Sequence, residues 1–151
     1  MTLDLFSPEP FVLVVDDSPS DARRMQALVQ VALPESIVVT RHSAEEAMNV
    51  CEYHLPNLIV ADVHLPGESG FELCKRIKSD RSPCRDILVL MVSADENRAS
   101  TACEAIASGA YAFEAKPLNT KRFVEDIRAG LALSDARRNR LILTREYLGG
   151  R

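Results

Sequence analysis

The feature that most constrains this sequence is an apolar run that ends in an aspartate and a turn. Residues Leu58 to Ala61 are all apolar, Asp62 follows them, and a Pro66-Gly67 turn comes shortly afterwards. A short apolar run bounded by turn residues predicts a strand that is buried on both faces. The carboxylate of Asp62 is therefore expected where this strand leaves the core. In open α/β sheets, ligands bind at that edge.

Four other short, apolar runs predict four more strands, and a helical pattern follows each of them. Strands that alternate with helices indicate βαβ units, a parallel sheet and right-handed crossovers. We therefore expect an α/β fold with a doubly wound, five-stranded parallel sheet in the order 2-1-3-4-5 and five helices on both faces. The four additional runs span residues 11–15, 37–40, 87–92 and 111–115.

Residues at the ends of the predicted helices mark their limits. Ser18 precedes Pro19, a suitable start for the first helix, and Ser43 with Glu46 resembles a capping box. Gly109 is a suitable end for the fourth helix. Apolar residues at helical spacing mark that helix, namely Ala99, Ala102, Cys103 and Ile106.

Length and composition limit the classes of protein to which the chain can belong. Its 151 residues suit one domain at 11–133, with a short tail at 1–10 and a basic helical extension or linker at 134–151. The net charge of −4 and the absence of Trp disfavour direct binding to nucleic acid. No run approaches the ~18 apolar residues of a membrane span, and the start lacks the pattern of a signal peptide. With four scattered cysteines, we expect a cytoplasmic protein.

Charged or hydroxyl side chains end four of the five predicted strands. Asp16 and Asp17 follow the first strand, Asp62 ends the third, Ser93 the fourth and Lys116 the fifth. Carboxylates crowded at one edge would repel each other, and Mg²⁺ would relieve this repulsion with oxygen ligands. The Ser93 hydroxyl would donate a hydrogen bond to one phosphoryl oxygen, and the Lys116 ammonium would neutralise another, while one carboxylate attacks phosphorus. The pattern therefore predicts phosphoryl transfer onto an aspartate.

The order of these residues resembles that of the response regulator receiver domain of two-component signalling, which has a flavodoxin-like fold. The resemblance covers roughly residues 10–133. It is carried by Asp16-Asp17, Asp62, Ser93-Ala94 and the stretch from Gly109-Ala110 to Lys116-Pro117. It implies a phosphoprotein that takes its phosphoryl group from a sensor histidine kinase or a histidine phosphotransfer protein. Such a protein catalyses its own phosphorylation and slow dephosphorylation and is a signalling switch more than a metabolic enzyme.

The resemblance also implies a role for each matching residue. Asp62 resembles the phosphoacceptor, and Lys116 resembles the phosphate-binding lysine. Asp16 and Asp17 resemble the Mg²⁺-binding pair, with Asp62 and the backbone carbonyl of His64 as further ligands. The Lys116-Pro117 peptide bond is expected to be cis.

Two residues resemble the switch of the family, and two others occupy its variable positions. Ser93 resembles the switch hydroxyl, and Phe113 resembles the aromatic residue that turns inward when the hydroxyl moves to the phosphate. Phe113 is equally consistent with an ordinary core residue. His64 and Asp95 occupy the positions that set the lifetime of the phosphate in this family, and we hypothesise that they do so here.

Alternatives to a phosphorylated receiver remain open. The chain could be a receiver-like interaction module without the chemistry, or a hydrolase with an aspartyl nucleophile. The residue two positions after Asp62 is His64, whereas such hydrolases usually have a second Asp there. The 151 residues include no recognisable effector domain, so we expect a stand-alone receiver or one module of a larger regulator. If the protein forms a homodimer, the family suggests the face of the fourth helix, fifth strand and fifth helix.

Overall fold

The computed structural model describes residues 9–144, with side chains as far as residue 137. Five parallel strands form one sheet in the order β2-β1-β3-β4-β5, which confirms the predicted topology. The polar strand ends all point to one edge of this sheet because the strands are parallel. The strands are β1 (Phe11–Val15), β2 (Ile37–Arg41), β3 (Leu58–Asp62), β4 (Leu88–Ser93) and β5 (Ala112–Ala115).

Five helices cover the two faces of the sheet. One face carries α1 and α5, which pack against each other, and the other carries α2, α3 and α4. This arrangement confirms the predicted doubly wound α/β fold. The helices are α1 (Pro19–Ala32), α2 (Ala44–Tyr53), α3 (Gly70–Lys78), α4 (Arg98–Ala107) and α5 (Thr120–Thr144).

Alternate residues of the central strands point into two separate hydrophobic clusters. In β3, Leu58 and Val60 face α1 and α5, whereas Ile59 and Ala61 face α2, α3 and α4. All four side chains are fully buried. This two-sided burial is the physical reason for the unbroken apolar runs in the sequence. It also holds the ends of the strands rigidly in place.

The helix starts follow the capping pattern of the sequence. The Ser18 hydroxyl accepts a hydrogen bond from the backbone N–H of Asp21, and the Ser43 hydroxyl accepts one from Glu46. These bonds satisfy backbone donors that have no partner within the helix. Gly109, with φ of 109°, follows the last residues of α4 in a conformation that favours glycine.

The buried side of α4 differs from the apolar pattern that marks this helix in the sequence. Thr101 and Ala105 are the buried residues of α4, whereas Ile106 is 52% exposed. The Thr101 hydroxyl lies 2.9 Å from the carbonyl oxygen of Asn97 and 3.1 Å from Asp95 Oδ2, and its one hydrogen is shared between these two acceptors. A threonine with satisfied hydrogen bonds can therefore occupy the inward side, and Ile106 is left on the surface.

Helix α5 continues through residue 133, where the sequence suggested the domain boundary. It forms one helix from Thr120 to Thr144, so residues 134–144 of the predicted extension are helical. The predicted tail is described only at residues 9 and 10, and residues 145–151 lie outside the described part. Within residues 9–144, no helix combines the length and apolar character that crossing a bilayer requires.

Candidate functional site

The ammonium group of Lys116 lies at the centre of the polar strand ends. Its Nζ atom is 2.5 Å from Asp62 Oδ2, 2.8 Å from Asp16 Oδ2 and 2.9 Å from Asp21 Oδ2. Lys116 and Asp62 were predicted to share this site, and so was Asp16. The three residues come from the ends of three strands. One cation is therefore held by three carboxylates at the carboxyl edge of the sheet.

The carboxylate of Asp62 is held in a fixed orientation at the end of β3. Its Oδ1 atom accepts a hydrogen bond from the backbone N–H of His64 at 2.7 Å, and Oδ2 contacts Lys116. The residue is only 6% exposed. Burial raises the pKa of Asp62 above its ordinary value, although Lys116 and the His64 N–H oppose this shift. The group is thus a desolvated carboxylate whose charge depends on nearby donors.

Lys116 remains charged despite its partial burial. Burial alone would lower the pKa of this amine, but the hydrogen bonds that it donates to Asp16, Asp62 and Asp21 outweigh the effect of burial and raise the pKa overall. A lysine that stays protonated at neutral pH can offer its charge to an incoming anion. The sequence prediction of a neutralising lysine is consistent with this environment.

The other acidic residues of the site differ in their environments. Asp16 is 1% exposed, and its Oδ1 atom accepts a hydrogen bond from the backbone N–H of Ser18 at 2.9 Å. Asp17, the second member of the predicted pair, is exposed at the rim. Asp21, in the first turn of α1, was not predicted. Its position three residues after the N-cap Ser18 was the available signal, because that turn of the helix faces the strand edge.

A histidine and an aspartate form a bridge across the loops beside Asp62. His64 Nε2 lies 2.5 Å from Asp95 Oδ1, and the Thr101 hydroxyl donates to Asp95 Oδ2 at 3.1 Å. The bond from His64 lowers the pKa of Asp95, and the bond from Thr101 adds to this effect. The structure thus pairs the two residues that sequence analysis placed at the variable positions.

Ser93 lies beneath this bridge at the end of β4. It is fully buried, and its Oγ atom accepts a hydrogen bond from the backbone N–H of Asp95 at 3.1 Å. In the register of the sheet, Asp62 pairs with Val92, the residue before Ser93. The serine hydroxyl therefore lies one residue beyond Asp62 on the neighbouring strand.

Phe113 lies on β5, the edge strand next to β4. It is partly buried and packs against the cluster beneath α2, α3 and α4. Its partner in the register is Met91, two residues before Ser93. The Lys116-Pro117 peptide bond is cis, as expected. The structure thus places Phe113 on the side of the sheet that carries α4, at a partly buried position.

The donor set of this edge suits Mg²⁺. Among the described residues, no three His, Cys, Asp or Glu side chains already surround a metal position, since Asp16 and Asp62 are turned to Lys116. Mg²⁺ requires only one or two carboxylates together with water, a carbonyl or a phosphate. Asp16 and Asp62 supply buried carboxylate oxygens, and the exposed Asp17 lies beside them. The residues present therefore fit the ion that the sequence predicted.

A cavity of about 320 Å³ opens beside Lys116, between α1 and the loop that leads into α5. Arg24 adds a second positive charge to its wall, while Met25 and Leu118 make part of the wall apolar. The remaining lining residues are Asp21, Ala94 and Pro117.

Comparison with known proteins agrees with this site. Residues 12–128 match the family described as the response regulator receiver domain. The chain is 31% identical over 125 residues to the polar-differentiation response regulator DivK of Brucella ovis, covering 80% of this chain and 94% of that protein. The DivK protein of Brucella anthropi is 32% identical over 125 residues, which again cover 80% of this chain and 94% of that protein.

Solved structures resemble the fold over nearly their whole length. A response regulator from Chloroflexus aurantiacus superimposes with a TM-score of 0.75 at 28% identity, covering 83% of this chain and 99% of that one. The chemotaxis response regulator CheY4 of Vibrio cholerae gives a TM-score of 0.71 at 26% identity, covering 82% and 100%. A doubly wound sheet with aspartates and a lysine at its carboxyl edge is thus the common feature of a class of α/β signalling proteins. The chain belongs to the response regulator receiver domain family.

Proposed function

We propose that this receiver accepts a phosphoryl group on Asp62, in the presence of Mg²⁺, and thereby switches a protein-interaction surface. The observation that carries the proposal is the contact between Lys116 Nζ and Asp62 Oδ2. The same ammonium group also donates a hydrogen bond to Asp16. This arrangement combines an oriented nucleophile with a positive charge beside it. Both are requirements of phosphoryl transfer onto a carboxylate.

In the transfer step, a carboxylate oxygen of Asp62 forms a bond to phosphorus while the bond to the donor nitrogen of a phosphohistidine breaks. The backbone N–H of His64 fixes the orientation of the carboxylate through Oδ1. Lys116 then neutralises a phosphoryl oxygen, and its charge is already present because its pKa is raised. The later reaction with water returns the carboxylate and releases inorganic phosphate, so the domain catalyses both steps of its own cycle.

Asp16, Asp17, Asp62 and the backbone carbonyl of His64 would hold the Mg²⁺ ion. Receiver domains generally bind Mg²⁺ at the site of phosphorylation. The bound ion would supply charge neutralisation for the transferring phosphoryl group. Because Asp16 and Asp62 now share Lys116, binding of the ion and rearrangement of these carboxylates are coupled.

The response to phosphorylation would begin at Ser93 and reach Phe113. The Ser93 hydroxyl hydrogen can donate to a phosphoryl oxygen, since the described contact of Oγ uses it as an acceptor. Movement of Ser93 would shift β4 beside β5, the strand that carries Phe113. The partly buried position of Phe113 supports a role as the aromatic residue of the switch.

We also assign the lifetime of the phosphate to the bridge between His64 and Asp95. This bridge joins the loops that follow β3 and β4, on either side of the Asp62 carboxylate. His64 follows Asp62 by two residues, so the bridge lies beside the phosphoacceptor and would limit the access of water to an aspartyl phosphate. Its strength would therefore affect the rate of dephosphorylation.

Receiver domains of response regulators interact with histidine kinases or phosphotransfer proteins, and we propose that one of these donates to Asp62. The output passes to a downstream protein or to an effector domain joined through the 134–151 extension, with 11–133 as the receiver. A homodimer would use α4, β5 and α5, where Ile106 is exposed. We place the protein in the cytoplasm, an expectation that rests on the scattered positions of its four cysteines in the sequence.

The test is incubation of the purified protein with Mg²⁺ and acetyl phosphate, followed by intact-mass analysis. We expect the addition of one phosphoryl group, its loss in D62N, and its persistence in D80N, which changes an exposed aspartate away from the site. Beryllofluoride with Mg²⁺ should shift amide NMR signals at Ser93 and Phe113. Chelation of Mg²⁺ should prevent both results.

Other outcomes would favour the alternatives. If acetyl phosphate and a phosphohistidine donor both leave the mass unchanged, the chain is an interaction module without the chemistry. Rapid multiple turnover of small phosphate esters, lost in D62N, would indicate a hydrolase. Phosphorylation of D62N at the same rate as the wild type would show that another residue is the acceptor.

A further inference from the structure

The three carboxylates around Lys116 differ in what they could do during phosphoryl transfer. Asp62 is the proposed acceptor and Asp16 belongs to the proposed Mg²⁺ pair, whereas Asp21 has neither task. Its Oδ2 atom nevertheless lies 2.9 Å from Lys116 Nζ, nearly as close as Asp16 Oδ2 at 2.8 Å. An ammonium group has three hydrogens to donate, and these three carboxylates accept all of them. A phosphoryl oxygen can therefore take a hydrogen bond from Lys116 only if one carboxylate gives way.

Asp21 is the most exposed acid of the three. Its side chain is 47% exposed, whereas those of Asp16 and Asp62 are 1% and 9% exposed. It comes from the first turn of α1 and lines the cavity of about 320 Å³ beside Lys116. Asp21 is thus the acid that an incoming anion would meet before the buried carboxylates.

The charge of Asp21 acts on Asp62 as well as on Lys116. The Oδ2 atoms of both aspartates contact the same nitrogen, so the two carboxylates are near neighbours. A negative charge this close to the acceptor disfavours the arrival of another one, and exposure to water and salt reduces this repulsion without removing it. Of the three acids, Asp21 is also the one whose charge the Mg²⁺ ion is not expected to neutralise.

We propose that Asp21 is a specificity-determining residue, which competes with the incoming phosphoryl group for Lys116 and thereby slows transfer from strongly anionic small donors. This role rests on the proposed function, since it concerns phosphorylation of the same Asp62. In transfer from acetyl phosphate, an Asp62 oxygen forms a bond to phosphorus, the P–O bond to the acetyl group breaks, and acetate leaves with the electron pair. A phosphoryl oxygen takes the Lys116 hydrogen that Asp21 held.

A purely structural role for Asp21 predicts the opposite result. Asp21 lies three residues after the N-cap Ser18, where a negative charge favours the start of a helix. If its carboxylate only held Lys116 in place, loss of the charge would loosen Lys116 and slow phosphorylation. Competition predicts faster phosphorylation, so the sign of the change distinguishes the two roles.

The experiment compares the full-length wild type, D21N and D21E at low ionic strength with Mg²⁺. Asn keeps the shape and an oxygen acceptor but has no charge, whereas Glu keeps the charge. Phosphorylation by acetyl phosphate, followed by intact mass, should be roughly three- to tenfold faster in D21N and should change by less than about twofold in D21E. Phosphoramidate carries one negative charge fewer at neutral pH and should gain less from D21N. D80N, which changes an exposed aspartate outside the site, should match the wild type.

Two further readouts separate competition from a structural change. At about 1 M NaCl, where the Debye length is only ~3 Å, the gain in D21N should shrink to less than about twofold. Inorganic phosphate, titrated with Mg²⁺ and followed by the amide NMR signal of Lys116, should bind several-fold more tightly to D21N than to the wild type. This titration needs no phosphoryl transfer, so it tests Asp21 even if Asp62 is not phosphorylated.

Slower or unchanged phosphorylation of D21N by acetyl phosphate would overturn the proposal. An equal gain in D21E would also overturn it, because the shape of the side chain and not its charge would then be responsible. If neither the wild type nor D21N takes a phosphoryl group from any donor, the proposed function fails, and the phosphate titration decides on Asp21 alone. Equal affinities for phosphate in the two proteins would then exclude competition for Lys116.

Discussion

His64 Nε2 lies 2.5 Å from Asp95 Oδ1, and this contact joins the loop after β3 to the loop after β4. The side chains of the pair are 65% and 35% exposed, so water and salt screen the attraction between them. The buried contact between Lys116 and Asp62 lies below, with side chains that are 15% and 9% exposed. The site therefore has a weak outer contact and a strong inner one.

The outer contact predicts the effect of H64A on the phosphorylated protein. Without the imidazole, the two loops lose their bridge and water reaches the aspartyl phosphate more easily. We expect dephosphorylation to become roughly two- to fivefold faster, in keeping with the small effects of exposed ion pairs. The measurement is the decay of phosphorylated protein by intact mass after removal of the donor. H54A, which changes an exposed histidine elsewhere, is the matched control.

The double variant H64A/D95A tests whether the two residues act through their contact. If they do, its rate should equal that of H64A, because the bridge is already broken in the single variant. Independent, multiplying effects would show that the contact is irrelevant to the lifetime. A lifetime unchanged in the H64N/D95E exchange would contradict the assignment altogether.

The inner contact predicts a larger effect for K116M. This change removes the cation beside Asp62 and leaves Asp16, Asp21 and Asp62 with uncompensated repulsion. We expect phosphorylation by acetyl phosphate to slow by about 100-fold, the usual cost of losing a preorganised donor. K121M, which removes an exposed lysine of α5, should leave the rate unchanged. Equal rates in the two variants would contradict the role of Lys116.

Gly70 is predicted to be intolerant of a side chain. A Cβ atom at this position would lie 2.2 Å from the backbone oxygen of Asp62 and 2.8 Å from Met91 Cε. Because the first of these atoms is backbone, G70A should lower the free energy of unfolding by about 2–3 kcal/mol and slow phosphorylation. The measurement is urea denaturation followed by circular dichroism.

Gly67 provides the control for G70A. It has φ of 74°, and a Cβ atom there meets nothing within 4 Å. G67A should therefore lower the free energy of unfolding by about 1 kcal/mol, through backbone strain alone, and leave the rate of phosphorylation unchanged. A smaller loss of stability in G70A than in G67A would contradict the close approach of α3 to Asp62.

The pair of Glu114 and Asp126 predicts how stability depends on pH. Burial, together with the neighbouring carboxylate of Glu114, raises the pKa of Asp126 to about 7. The folded chain therefore holds this proton more tightly than the unfolded chain, and stability falls as pH rises from about 4 to 7. After allowance for solvent screening, the free energy of unfolding should fall by roughly 1 kcal/mol across this pH range.

D126N should remove this component of the pH dependence. Urea denaturation at pH 5 and pH 8 should show a smaller loss of stability in D126N than in the wild type. D135N, which changes an exposed aspartate of the same helix, should behave like the wild type. An identical loss in D126N and the wild type would exclude a raised pKa at Asp126.

The sheet order and most of the residues at the strand ends can be predicted from the sequence because both depend on local patterns. The run before Asp62 is apolar since both of its faces are buried, and a parallel sheet brings its polar ends together without further information. Asp21 escaped prediction because it lies in the first turn of α1 and not at the end of a strand, where the pattern places the other site residues. Its distance from the N-cap Ser18 is a weaker signal than a charge that ends an apolar run.

Ile106 shows a second limit of prediction from the sequence. Its spacing is typical of the buried side of α4, but the buried and hydrogen-bonded Thr101 lies on the side that faces inward. The acceptors that make this burial possible, Asp95 and Asn97, become neighbours of Thr101 only in the folded chain.

Helix α5 has mechanical consequences because it is one piece from Thr120 to Thr144. At about 1.5 Å per residue, its 25 residues make a rod of roughly 37 Å that begins close to Lys116. The Arg128 side chain donates a hydrogen bond to the carbonyl of Ala32, and the Arg137 side chain donates one to the carbonyl of Asp86 at the opposite edge of the sheet. We expect a displacement at the start of α5 to be transmitted along the helix as a tilt, and the two arginine contacts are where this tilt would be measured.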